Sequence, residues 1–191
     1  MSLPRHLFVL ISVPLASLAC LVSMGGPSIP PDSAPASSDA LEAFNQKWLD
    51  LPSMLTNGQF TLTFNEAEVA SAVDSAIANT RFESETDIPL HNVHIALDGD
   101  IVLYVQTNGP VVDASGVMAL HPTVDEEGRL VTQVSSSEFG RASLDDPLLD
   151  QLSATVADAL IHPAEALPVE VALTSVAVVD EQLVLTGTIV E

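Results

Sequence analysis

The stretch Phe60-Thr-Leu-Thr-Phe-Asn-Glu-Ala-Glu-Val69 changes periodicity in mid-course, and the fold class follows from that change. From Phe60 to Phe64 apolar and polar side chains alternate, the two-residue period of a strand with one buried face. At Asn65 the pattern switches. Asn65 is an N-cap residue, Glu68 stands where a capping box needs it, and Val69, Val73, Ala76 and Ile77 recur at helical spacing towards Asn79. A strand therefore feeds directly into a helix.

Downstream the chain returns to strands. Val93, Ile95 and Leu97 share a face before an Asp98-Gly99-Asp100 turn leads into Ile101-Val-Leu-Tyr-Val105, which predicts a hairpin. Further strands are expected over about 111–121, 129–136, 169–179 and 182–190, with turns at Asp125-Glu-Glu-Gly128 and Asp180-Glu181. A helix opens at Asp146-Pro147, carries Leu148, Leu149, Leu152, Val156 and Leu160, and stops at His162-Pro163. Another, over about 39–49, sets Leu41, Phe44 and Trp48 on one side. The expected architecture is α+β: a mostly antiparallel, curved sheet of about seven strands with two or three packed helices.

The pattern also repeats. Leu90-x-x-Val93-x-Ile95 returns as Leu173-x-x-Val176-x-Val178, and Asp98-x-x-Ile101-Val102-Leu103 returns as Asp180-x-x-Leu183-Val184-Leu185. Each copy is a hairpin preceded by a helix, and each helix by a strand. Strand-helix-hairpin thus occurs twice with an extra strand between, unless the likeness is only that of any two apolar hairpins. Ile101–Val105, Val176–Val179 and Leu183–Leu185 are apolar at successive positions, which predicts a cover on both faces. Ordinary helix burial could supply that cover; so could a partner subunit or an acyl chain in a groove.

The 191 residues hold five Lys plus Arg against 26 Asp plus Glu, a formal charge of −21. Without a basic patch the main source of nucleic-acid affinity is missing, so DNA and RNA are excluded as partners. Anionic headgroups repel such a surface, so membrane attachment requires an apolar or covalent anchor.

The N-terminus offers one in residues 1–24. Arg5 precedes an uncharged apolar run from Leu7 through Ala19, the length of a signal-peptide core, and Pro14 interrupts it. Ser17-Leu18-Ala19-Cys20 resembles the lipobox of bacterial lipoproteins, which implies diacylation of Cys20 and cleavage before it. An uncleaved anchor and conventional cleavage near Ala34-Pro35-Ala36 are the alternatives. Residues 25–38, rich in Pro, Ser and Ala, read as an extended tether, and 39–191 as one extracytoplasmic domain. Cys20 is the sole cysteine, which excludes intrachain disulfides and multi-cysteine metal sites.

Chemistry is sparse in the sequence. His91 and His94 have ligand spacing on a helix, but three apart on a strand they are expected on opposite faces, so no metal site is assigned. His121 and His162 each precede a proline, and the Asp98–Asp100 and Asp125–Glu127 clusters read as polar turns. No Gly-x-Ser-x-Gly elbow, phosphate-binding loop or dinucleotide fingerprint occurs, and no cofactor or catalytic residue is assigned.

The segment Phe60–Val69, the hairpin around Asp98 and the closing Leu173-Thr-Ser-Val-Ala-Val-Val-Asp-Glu-Gln-Leu-Val-Leu-Thr-Gly187 resemble the anchored bacterial proteins of the YpmS-like and LmeA-like families, relatives of TULIP-type lipid-binding proteins. The resemblance rests on hydrophobic pattern and turn placement. It implies an N-terminal anchor, one extracytoplasmic α+β domain and a lipid or other apolar ligand. The expectation is a non-catalytic, membrane-anchored lipid-binding protein; the alternative is an envelope scaffold or interaction module.

Overall fold

A computed structural model of the chain describes residues 22–31, 33–82, 90–108, 112–140 and 146–190. The strands are β1 (Val22–Gly25), β2 (Ala34–Pro35), β3 (Gln59–Asn65), β4 (Leu90–Asp98), β5 (Asp100–Asn108), β6 (Val112–Val124), β7 (Leu130–Glu138), β8 (Glu170–Val179) and β9 (Gln182–Val190). The helices are α1 (Ser38–Leu49), α2 (Leu51–Met54), α3 (Glu66–Asn79) and α4 (Asp146–Ile161), the last continued by a 3-10 segment, His162–Ala166. The fold is α+β, as the periodicity predicts.

The strands divide between two sheets. One has the order β1-β6-β5-β4-β2, with β7 also on β6; the other is β3-β9-β8. All pairings are antiparallel except β1 on β6. The order strand-helix-hairpin does occur twice, as β3-α3-β4-β5 and β7-α4-β8-β9 with β6 between. The two units exchange their leading strands: β3 pairs with β9 of the second hairpin, whereas β7 joins the first hairpin's sheet through β6. The first strand of each hairpin also carries a bulge soon after its leading leucine, between His91 and His94 in β4 and between Leu173 and Ser175 in β8.

The β3–α3 corner forms for the reason its sequence suggests. The Asn65 side chain accepts from the Glu68 backbone N–H at 2.9 Å, and the Glu68 carboxylate accepts from Asn65 N–H at 2.8 Å, closing the capping box. Phe60, Leu62 and Phe64 then point into the core with Leu185 and Leu183 of β9. Phe44 and Trp48 of α1 pack on them, with Phe44 and Phe64 ring centroids 4.5 Å apart and Trp48 stacked 6.1 Å from Phe64. Val69, Val73 and Ile77 of α3, and Leu152, Val156 and Leu160 of α4, complete the same core against Ile95, Ile101, Leu103 and Leu120.

Two expectations are corrected. Residues 25–38 are not a free tether. Pro35 and Ala34 pair with His94 and Ile95 of β4, Ser115 Oγ donates to Pro27 O at 2.8 Å, and Ser37 N–H donates to Ser71 Oγ at 2.9 Å. Pro and Ser suit a sheet edge as well as a tether, because an edge leaves half the backbone groups without ladder partners. Nor are the apolar strands covered on both faces. In β5, Ile101, Leu103 and Val105 are buried while Val102 and Tyr104 are half-buried, and in β8 Val179 is exposed. Val102 lies between Ala96 and Ala119 in register, a row of small cross-strand neighbours in place of a helix.

Candidate functional site

The chain leaves α4 at His162-Pro163 because Pro163 cannot continue the helical hydrogen-bond ladder. The segment that follows crosses from α4 to β8. A cavity of about 520 Å³ remains there, within the range that holds small organic ligands. Ile161 lines it from the end of α4, Ala164, Leu167 and Val169 from the crossing segment, Leu130 from β7, Val171 and Leu173 from β8 and Trp48 from α1. Its wall is predominantly apolar. Charge is confined to Arg129, Glu165 and Glu170, each of them exposed.

Trp48, one of the lining residues, carries a buried polar atom. The residue is fully buried, and its Nε1 is a buried side-chain donor with no hydrogen-bond partner among the described residues. An unmet donor of this kind costs about 1–3 kcal/mol. It is also the sole tryptophan of the protein, so its emission reports on this region alone.

The β6–β7 turn forms one lip. Asp125 Oδ1 accepts from the Glu127 and Arg129 backbone N–H groups at 3.0 and 2.9 Å, and Asp125 Oδ2 lies 2.7 Å from the Arg129 guanidinium. The Arg129 backbone bond and then its guanidinium hold the Asp125 carboxyl below the usual aspartate range. Glu127 adds a second carboxylate to Arg129 at 3.2 Å. Gly128 joins the lip to the other sheet, its carbonyl accepting from Leu173 N–H at 2.9 Å.

Three further constellations bear on chemistry. On the outer face of β5–β6–β7, Asp100 Oδ1 lies 2.7 Å from His121 Nδ1, and Ser135 Oγ donates to Asp100 Oδ2 at 2.9 Å. Imidazole and hydroxyl meet on the carboxylate rather than on each other, so the set fastens three strands and does not present an activated serine. His121, which precedes Pro122, thus lies within β6 and has a partner on β5. At the opposite edge, Ser33 Oγ donates to Pro30 O at 2.7 Å and lies 3.0 Å from His94 Nδ1. A second hollow of about 440 Å³, lined by Asp74, His91 and Gln106 among others, opens beside it.

His91 and His94 do not lie on opposite faces. The β4 bulge sets them opposite Gln106 and Tyr104, two residues apart on β5, and therefore on one face. Asn92 permits this with φ of 55°, a conformation that Asn tolerates better than most residues. Among the described residues no three His, Cys, Asp or Glu side chains are grouped so as to hold a metal ion. His162 lies 3.2 Å from Glu165 at the end of α4, beside the cavity. Cys20 and residues 1–21 of the expected leader lie outside the described residues. Among the described residues no helix is long and apolar enough to cross a membrane.

The cavity was not legible as a site from sequence. Its local sign is the run Ile161 to Val171, in which Pro163 and Pro168 interrupt apolar residues interspersed with His162, Glu165 and Glu170. No family model matches the chain, and no curated protein or solved structure matches it either.

Proposed function

We propose that this protein is a membrane-anchored extracytoplasmic domain that binds lipid or another apolar ligand and carries out no catalysis. The observation that carries the reading is the apolar cavity between the α4–β8 crossing, β7 and Trp48. Its volume of about 520 Å³ suits one apolar chain or ring system rather than a bilayer surface. Affinity would come from buried apolar area, about 0.8 kcal/mol per CH₂. The anchor is the run from Leu7 with Cys20 as the lipidated residue, and kinship with the YpmS-like and LmeA-like proteins belongs to the same proposal.

Native mass spectrometry and solvent extraction of the purified full chain test the ligand. Retained lipid, or saturable change of Trp48 emission with 1-octanol, is the expected result; neither, in repeated preparations, overturns it. Acyl labelling of Cys20→Ser tests the anchor, where unchanged labelling and processing defeat the lipoprotein assignment.

The alternative, an envelope scaffold or interaction module, draws on the outer face of the larger sheet, where Val102, Tyr104 and Val117 are half-buried rather than buried.

A further inference from the structure

The charges at the cavity mouth are unequal. Arg129 is the cation of the lining, and its guanidinium is already engaged by Asp125 at 2.7 Å and Glu127 at 3.2 Å. Glu165 of the α4–β8 crossing and Glu170 at the start of β8 add two carboxylates, of which Glu165 has His162 Nδ1 at 3.2 Å. Two carboxylates of the lining, Glu165 and Glu170, therefore stand beside a guanidinium that Asp125 and Glu127 already engage. The whole chain, at −21, adds potential of the same sign.

Resting on the apolar-ligand reading above, we propose that the cavity takes an amphiphile with a cationic head group, its chain inside and its ammonium or guanidinium at Glu165 and Glu170. An anionic head would meet the rim's carboxylates with Arg129 already neutralised, and would lose as much as a cation gains. A head without charge would gain only the interior. The preference is a property of this rim and not of the apolar wall, which any chain fills alike.

The test compares octylammonium, 1-octanol and octanoate, all of the same chain length, on the purified full chain at pH 7, read by Trp48 emission. Octylammonium is expected to bind at least about threefold tighter than octanol and about tenfold tighter than octanoate, with the gaps shrinking as salt is raised. The double variant Glu165→Gln, Glu170→Gln is expected to weaken octylammonium, strengthen octanoate and leave octanol unchanged; retained octanol binding shows that it is folded. Asp98→Asn, on the β4–β5 turn and outside the cavity lining, removes one charge and is expected to leave the order intact. Equal binding of the three probes, or octanoate binding best, overturns the cationic preference while the apolar site stands. If no probe binds, the apolar-ligand reading itself falls. Should the double variant not fold, the wild-type order and its salt dependence decide alone.

Discussion

Lys47 Nζ lies 2.7 Å from Glu68 Oε2, and this contact joins α1 to the corner where β3 becomes α3. The same carboxylate oxygen accepts the Asn65 N–H, and Lys47 Nζ also donates to Thr63 O at 2.8 Å. A helix cap, a strand edge and a second helix thus share one ion pair. The lysine occupies an outward carbonyl of β3, an edge strand, and so protects that edge from pairing with another chain. Lys47 also lies over the Phe64 ring, 5.5 Å from its centroid.

Glu68→Gln is expected to destabilise the protein by about 1–3 kcal/mol, because the Glu68 side chain is buried while Lys47 keeps part of its hydration. Glu68→Ala, which also removes the cap acceptor, should cost more. Urea unfolding followed by circular dichroism checks both, and a midpoint unchanged in Glu68→Gln would show that the pair contributes nothing net.

Asp100 gives the fold a dependence on acid. The hydrogen bond from His121, and then that from Ser135, hold its carboxyl below the ordinary aspartate value against the opposing effect of burial. A carboxylate depressed in the folded state stabilises above its unfolded pKa, and loses that contribution as pH falls through the folded one. Wild type should therefore lose stability below about pH 4 more steeply than Asp100→Asn. Melting temperatures of the two from pH 6 to pH 2 measure this, and parallel curves would count against it.

The β8–β9 turn is strained. Asp180 and Glu181 both have positive φ, 52° and 59°, as a two-residue hairpin loop of this twist requires. Glutamate pays for that conformation and glycine does not. Glu181→Gly is expected to raise stability by about 0.5–1 kcal/mol, seen as a higher urea midpoint with unchanged slope.

Gly187 has no room for a side chain. A Cβ there would lie 2.5 Å from the Phe60 ring and 2.6 Å from the Ala172 carbonyl. Gly187→Ala should destabilise by about 1–3 kcal/mol through overpacking where β3 and β8 flank β9. Gly58→Ala supplies the contrast: it has open space and a φ of 78°, so only backbone strain is expected. Comparison of the two by thermal unfolding separates packing from conformation.

Filling the cavity should abolish its use. Ala164 stands on the wall, and Ala164→Phe is expected to weaken 1-octanol binding at least about tenfold while changing stability little. Titration calorimetry with octanol measures the first and urea unfolding the second. Undiminished affinity would place octanol elsewhere.

The local elements were readable from the chain because their causes are local. Asn65 and Glu68 cap α3 across three residues, Pro147 opens α4, and the alternation of Phe60, Leu62 and Phe64 marks β3, each depending on neighbours a few positions away. The strand-helix-hairpin repeat was visible for the same reason. Shorter elements escaped: β1, β2 and α2 have too few residues to establish a period.

The sequence by itself determined the α+β class, the order of the longer strands and helices, the net negative charge and the uncharged apolar run from Leu7 to Ala19. Tertiary structure alone decided that β3 pairs with β9, that the β4 bulge sets His91 and His94 on one face, and that Pro35 lies against β4. It alone decided, too, that Trp48 lines a cavity with Leu167 and Leu173, residues more than a hundred positions away. Periodicity and caps are written in near neighbours. Strand partners, and the space that two packed sheets fail to fill, depend on contacts between residues that no local pattern relates.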